Sequence, residues 1–150
     1  MKHLFDKAVV EEMKARVAKL RPDRQRQWGK MDVAQAMAHC AIGLESAMGD
    51  VRPPRAFIGR LVGGLIKNKA IHSEEPLRKN SPTMKELVVA DARKLEAEQQ
   101  RVSELIDRFA AGGAKGCTMH PHAFFGSLTP EEWAILMYKH LDHHLRQFGA

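Results

Sequence analysis

Cysteines, aromatic residues and long apolar runs are all scarce in this chain of 150 residues, which holds two cysteines, one tyrosine, two tryptophans and six phenylalanines. Cys40 and Cys117 are too few and too far apart to form a C-x-x-C redox or zinc motif, so free, reduced thiols are expected. No run approaches the roughly 18 apolar residues of a membrane-spanning helix. The opening, MKHLFDKAVVEEMKARV, carries acids and lacks the apolar centre and small-residue cleavage site of a secretory signal. These absences favour a cytoplasmic protein that does not engage a membrane. With few aromatics, packing must rest on Leu, Ile, Val, Ala and eight methionines, a mixture that suits helices better than sheets.

What is present is enough for one domain spanning residues 1–150, because 44% hydrophobic content supports a core without disulfides or a structural metal. The formal charge is +6, with basic residues crowded into positions 14–30 and 52–79. No nucleic-acid motif accompanies them, and acids are interleaved along the helical stretches. A solvated surface that attracts anionic small molecules is the expected consequence, and nucleic acid is not expected as a partner.

Helical periodicity organises the chain. Apolar residues recur at Phe5, Val9, Met13, Val17 and Leu20, predicting a helix over 5–20. Asp32 and Gln35 have capping-box spacing and open a second helix that runs to about Met48. Its interior has only Glu45 as an acidic or basic residue, as expected of a helix enclosed by neighbours. Residues 51–82, broken by Pro53, Pro54, Pro76 and Pro82, read as a long crossover with a short helix over 56–67. Thr83 with Glu86 predicts the start of the longest helix, over 83–110, with a seam from Val88 through Ala92, Leu95, Gln99, Val102 and Ile106 to Phe109. Thr129, Pro130 and Glu132 open a last helix that reaches Gln147, with Gly149 as a cap. Four main helices and a crossover helix make an all-α four-helix bundle.

The last helix places two histidines on its buried face. Each residue advances about 100°, which puts His140 and His144 on either side of Trp133, beside Leu136, Met137 and Phe148. Lys139, Asp142 and Arg146 fall on the opposite, solvent side, and His143 on the edge. Buried imidazoles without partners cost about 1 to 3 kcal/mol each. A shared divalent metal would satisfy both, and hydrogen bonding within the core is the alternative. His39, in the middle of the uncharged second helix, faces the same choice.

The segments MDVAQAMAHCAIGLE and YKHLDHHLRQFG, with HP…FFG.LTPEEW before the last helix, resemble the DinB/YfiT-like metalloenzyme superfamily across nearly the whole chain. The resemblance implies a four-helix bundle of that family's topology and a single divalent metal held by His39, His140 and His144. It matches Gln147 to the family's terminal glutamine and implies a homodimer. Two departures are visible: arginine follows Leu145 rather than the last ligand, and HPHAFFG contributes extra histidines.

The expected function is therefore a metal-dependent enzyme, a hydrolase or thiol-dependent transferase acting on an anionic or thiol-bearing small molecule. The alternative is a non-catalytic binding bundle with a structural or sensing metal. All-imidazole ligation points first to zinc or nickel and also admits iron, cobalt or copper. His122 and His120, in the loop before the last helix, are the candidate acid/base or substrate contacts. His72 and His3 are expected at the surface and Cys40 in the core. Asp91 and Glu98 are weighed as acceptors behind the ligands, against a solvated helix face.

Overall fold

The computed structural model describes all 150 residues and contains five α-helices and no strand: α1 (Lys7–Ala18), α2 (Val33–Ala47), α3 (Phe57–His72), α4 (Leu95–Gly116) and α5 (Pro130–Gln147). Local side-chain chemistry starts three of them, and Asp6 caps α1 by accepting the Ala8 amide at 2.8 Å. Asp32 accepts the Gln35 amide at 2.8 Å while Gln35 Oε1 accepts the Asp32 amide at 3.0 Å, closing the capping box of α2. Thr129 and Glu132 exchange the same pair of bonds at 2.8 and 3.2 Å to open α5. At the far end of α5, Gly149 takes φ +73°, its amide bonds Arg146 O and the Ala150 amide bonds Leu145 O, a Schellman termination.

Helices α1, α2, α4 and α5 pack on one another, whereas α3 touches this bundle through α5. Met13, Met37, Leu44, Ile106, Trp133, Leu141 and Leu145 are fully or almost fully buried in one shared cluster. Each such side chain removed from water contributes about 1.5 to 3 kcal/mol, and this burial holds the helices together.

Three sequence expectations are corrected. The helix expected over 83–110 begins at Leu95; residues Lys85–Leu87 form a 3-10 turn and 88–94 an extended connection. Two carbonyls of this stretch bond to α2: Asp91 O accepts from Gln35 Nε2 at 3.1 Å, and Leu87 O lies 2.8 Å from His39 Nδ1. At its other end α4 breaks at Gly113, whose φ of 54° and ψ of −150° are open to glycine alone.

The crossover helix is longer than expected, because α5 anchors its last turns. Ile71 is fully buried, and Glu132 pairs with Lys67 at 2.9 Å and with His72 at 2.8 Å. Gly59 and Gly63 let α3 lie directly on the Phe124 carbonyl, where a Cβ at either position would collide.

Lys139, expected in solvent, is 5% exposed. Its ammonium donates to Ala70 O, Ser73 O and Glu75 O at 2.8, 2.5 and 2.9 Å and so caps the end of α3. Burial lowers its pKa. The ammonium's three protons match three carbonyls, which offsets the cost of taking the charge out of water.

Candidate metal centre

His39 on α2 and His140 and His144 on α5 meet inside the bundle. Their ring centroids stand 4.7, 4.9 and 4.9 Å apart, nearly an equilateral triangle, with interplanar angles of 75°, 78° and 85°. One nitrogen from each ring lies within 4.8 Å of the other two. His39 and His144 are buried and His140 is partly so. The triad could therefore hold a metal ion.

Hydrogen bonds on the outer ring nitrogens decide which way the lone pairs face. His39 Nδ1 lies 2.8 Å from Leu87 O, and a carbonyl can only accept, so the proton is on Nδ1 and Nε2 offers a lone pair to the centre. Gln147 Nε2 donates to Trp28 O at 2.7 Å, which leaves its Oε1 to accept from His144 Nδ1 at 2.8 Å. His144 Nε2 is therefore an inward lone pair too. Such outer acceptors hold the tautomer and orientation of metal-binding histidines. In the metal-free protein His140 Nε2, 2.9 Å from His39 Nε2, supplies the proton between them.

The α1–α2 connection seats the glutamine: Gln27 N donates to Gln147 O at 2.8 Å, and Gly29, at φ +80°, leaves room for the Gln147 amide. Gly43, one turn after His39, makes space for the His140 ring. A Cβ there would come within 2.9 Å of His140 Nδ1 and 3.1 Å of Cε1.

Burial pushes the pKa of each triad histidine down, His144 to about 3, and the neighbouring imidazoles push His140 and His144 further the same way. All three rings are neutral near pH 7, so protons do not compete for the lone pairs. Two inward lone pairs held by outer acceptors, with a third ring facing them, suit a divalent cation that accepts nitrogen ligands.

The other singled-out residues fall at varying distances from this centre. His122 lies in the turn before α5, bridged to Gly126 by His122 N→Gly126 O at 2.8 Å and Gly126 N→His122 O at 3.1 Å. Its Nδ1 accepts the amides of Phe124 and Phe125, both at 3.0 Å, so its proton is on Nε2. The ring stacks on Phe125 and tilts against Trp133 at 5.5 Å. Burial, then the positive charge of Arg55, lower its pKa to about 4. His120 bonds Thr118 Oγ1 through its amide, and its Nε2 is buried without a partner.

His72 is exposed and ties to Glu132, while His3 is half-buried, its Nδ1 accepting the Phe5 amide at 3.3 Å. Cys40 is fully buried, which raises its thiol pKa far above the ordinary value and leaves it inert. Neither acid weighed as an outer acceptor bonds a triad histidine. Asp91 pairs with Arg93, and Glu98 is buried between Arg93 and Arg101. The actual acceptors are Leu87 O and Gln147 Oε1. A backbone carbonyl carries no sequence signature, whereas Gly43, four residues after His39 on the same helix face, is a signal that reading for side-chain ligands passes over.

Neither a cavity of about 20 Å³ between Trp28, Leu77 and His143 nor a cleft of about 310 Å³ along the outer face of α5 is lined by a triad histidine. No helix is long and apolar enough to cross a membrane.

Residues 5–150 match the family model described as a protein of unknown function, DUF1569, a DinB/YfiT-like family. No curated protein and no solved structure matches the chain.

Proposed function

We propose, from the premise that the chain belongs to the DUF1569 family of proteins of unknown function, that it is a metal-dependent enzyme of the hydrolase or thiol-dependent transferase type. The observation that carries this reading is the pair of outer hydrogen bonds, His39 to Leu87 O and His144 to Gln147 Oε1, which turn two Nε2 lone pairs toward a third imidazole. Without a metal, the single proton on His140 Nε2 can serve one of these lone pairs, that of His39 at 2.9 Å, whereas a cation serves both at once. His39, His140 and His144 would hold a divalent metal, zinc or nickel before iron, cobalt or copper. When bound, it supplies Lewis acidity toward a substrate oxygen, a water or a thiol.

The remaining roles belong to the protein. Three ligands leave coordination open to a substrate. His122 presents an Nε2–H as a hydrogen-bond donor from the turn over Trp133; its Nδ1 is already committed to two amides, so donation rather than proton abstraction is its role. The proposed substrate is an anionic or thiol-bearing small molecule.

A second reading, a binding bundle with a structural or sensing metal, is favoured by one observation. Phe57, Ile58, Leu61 and Leu65 line α3 at helical spacing, 75%, 62%, 68% and 79% exposed. An apolar face of that kind suits a protein contact, including the expected homodimer.

Metal content by inductively coupled plasma mass spectrometry, compared with a His39→Ala/His140→Ala/His144→Ala variant whose helicity is checked by circular dichroism, tests both. Near-stoichiometric metal that the folded variant lacks supports the site. Wild-type protein that neither carries metal nor takes it up on titration refutes it. Loss of the fold on chelation favours the structural reading over the catalytic one.

A further inference from the structure

Arg55 is a cation without a counter-charge beside the turn that precedes α5. It precedes α3 and is tied to the turn before α5, because its neighbour Ala56 donates N–H to Ala123 O at 2.8 Å. The Nη1 end of its guanidinium abuts Gly126: a Cβ there would be 2.9 Å from Nη1 and 3.7 Å from Cζ. Arg16, Arg93, Arg101 and Arg108 all reach carboxylates, whereas Arg55 makes no ion pair and its Nε is buried without a hydrogen-bond partner. Exposed arginines such as Arg60 need no partner, since water solvates them. Arg55 is half-buried, and its Nε has lost that solvation.

The protein holds no anion in reserve for it. Between Asp50 and Glu74 the sequence contains Arg52, Arg55, Arg60, Lys67 and Lys69 and no acid. Asp50 is engaged by Arg108 and Glu45 by Arg101. Glu132, the acid at the start of α5, is occupied by Lys67, His72 and the Thr129 amide.

Arg55 is also placed to act with the site. His122 lies across the two-bond bridge from Gly126, the residue on which the guanidinium rests. The positive charge of Arg55 disfavours protonation of His122, as befits two groups held on the same turn. The His122 ring leans on Trp133, which shares the inner face of α5 with His140.

We infer that Arg55 and the Nε2–H of His122 form the anion-binding end of the site, recognising a carboxylate or phosphate group of a substrate whose reacting end faces His39, His140 and His144. The substrate assignment rests on the reading of the triad as a metal centre; the anion site itself does not. With Nη1 against the glycine, the guanidinium keeps Nε–H and Nη2–H as the planar fork that oxyanions accept.

The test uses full-length protein, metal-free and zinc-loaded, titrated with inorganic phosphate and separately with malonate while the Ala56 and Gly126 backbone amides are followed by NMR in wild type and variants, with the Arg55 Nε–H as an additional probe in wild type. Metal content is measured on the same samples. Saturable shifts are expected with at least one anion, and affinity should fall by about tenfold or more in Arg55→Gln, fall less in Arg55→Lys, and hold in Arg60→Gln. Equal anion affinity in wild type and both Arg55 variants, or no saturable shift with either anion, overturns the inference. If Arg55→Gln loses its fold, Arg55→Lys decides by the same affinity comparison. Anion binding that depends on Arg55 in a protein that takes up no metal sustains the anion site and removes the metal reading. Metal binding with Arg55-independent anion binding does the reverse.

Discussion

Replacing Gly43 with alanine separates a metal-binding role of His140 from a packing role. The new Cβ would stand 2.9 Å from His140 Nδ1, 0.5 Å inside the 3.4 Å at which ordinary contact begins, so the ring must move by about that amount. Displacements of about 0.5 Å are the tolerance of a preorganised site. For the fold, two terms oppose each other. Alanine in a helix interior is favoured over glycine by about 1 kcal/mol, and local overpacking costs about 1 to 3 kcal/mol. The metal-free protein should therefore change little in stability or lose up to about 2 kcal/mol. Metal affinity should fall by about 10- to 100-fold, or roughly 1.4 to 2.7 kcal/mol, as for perturbed ligand orientation elsewhere.

The assay is competition for zinc against a chromophoric chelator, with urea denaturation of the metal-free form run in parallel. Gly64→Ala on α3 is the control: a Cβ there meets nothing within 4 Å, so it should raise stability by about 1 kcal/mol and leave zinc affinity unchanged. Zinc affinity in Gly43→Ala within twofold of wild type would refute the placement of His140 as a ligand through its present orientation.

Two further outcomes follow from the same packing. Lys139→Met removes the donor for Ala70 O, Ser73 O and Glu75 O and should cost about 1 to 3 kcal/mol in urea denaturation; an unchanged midpoint would show that the ammonium is not the cap of α3. His122 is held from 6.5 down to about 4. Below pH 6.5 the unfolded chain therefore binds a proton that the folded one refuses. The stabilisation is fully present above pH 6.5 and is lost as pH falls toward 4. Calorimetric Tm measured from pH 7.5 to 4 should decline less steeply in His122→Gln than in wild type, and parallel slopes would contradict the assignment.

Elements set by near neighbours were legible in the sequence. The capping boxes at Asp32 and Thr129 and the glycine stop after Phe148 each close within a few residues, so residue type and spacing carry the information. The α5 periodicity placed His140 and His144 beside Trp133 on the inner face because the helical repeat alone dictates it. Their meeting with His39 lay within reach only of periodicity joined to family resemblance.

Tertiary structure decided the rest. The same capping-box spacing at Thr83 and Glu86 opens no long helix, since residues 85–94 direct carbonyls to Gln35 and His39 and that gain outweighs local propensity. Lys139 lies on the polar side of the helical wheel and is nonetheless buried, because the end of α3 brings it three carbonyls. By itself the sequence determined which helices form at their caps and which face of α5 carries the imidazoles, both consequences of interactions within about one turn. Only the folded chain decided which carbonyl holds the His39 proton, which glycine admits His140 and which arginine stands without a counter-charge, because each depends on atoms brought together from distant positions and a backbone carbonyl looks the same at every residue.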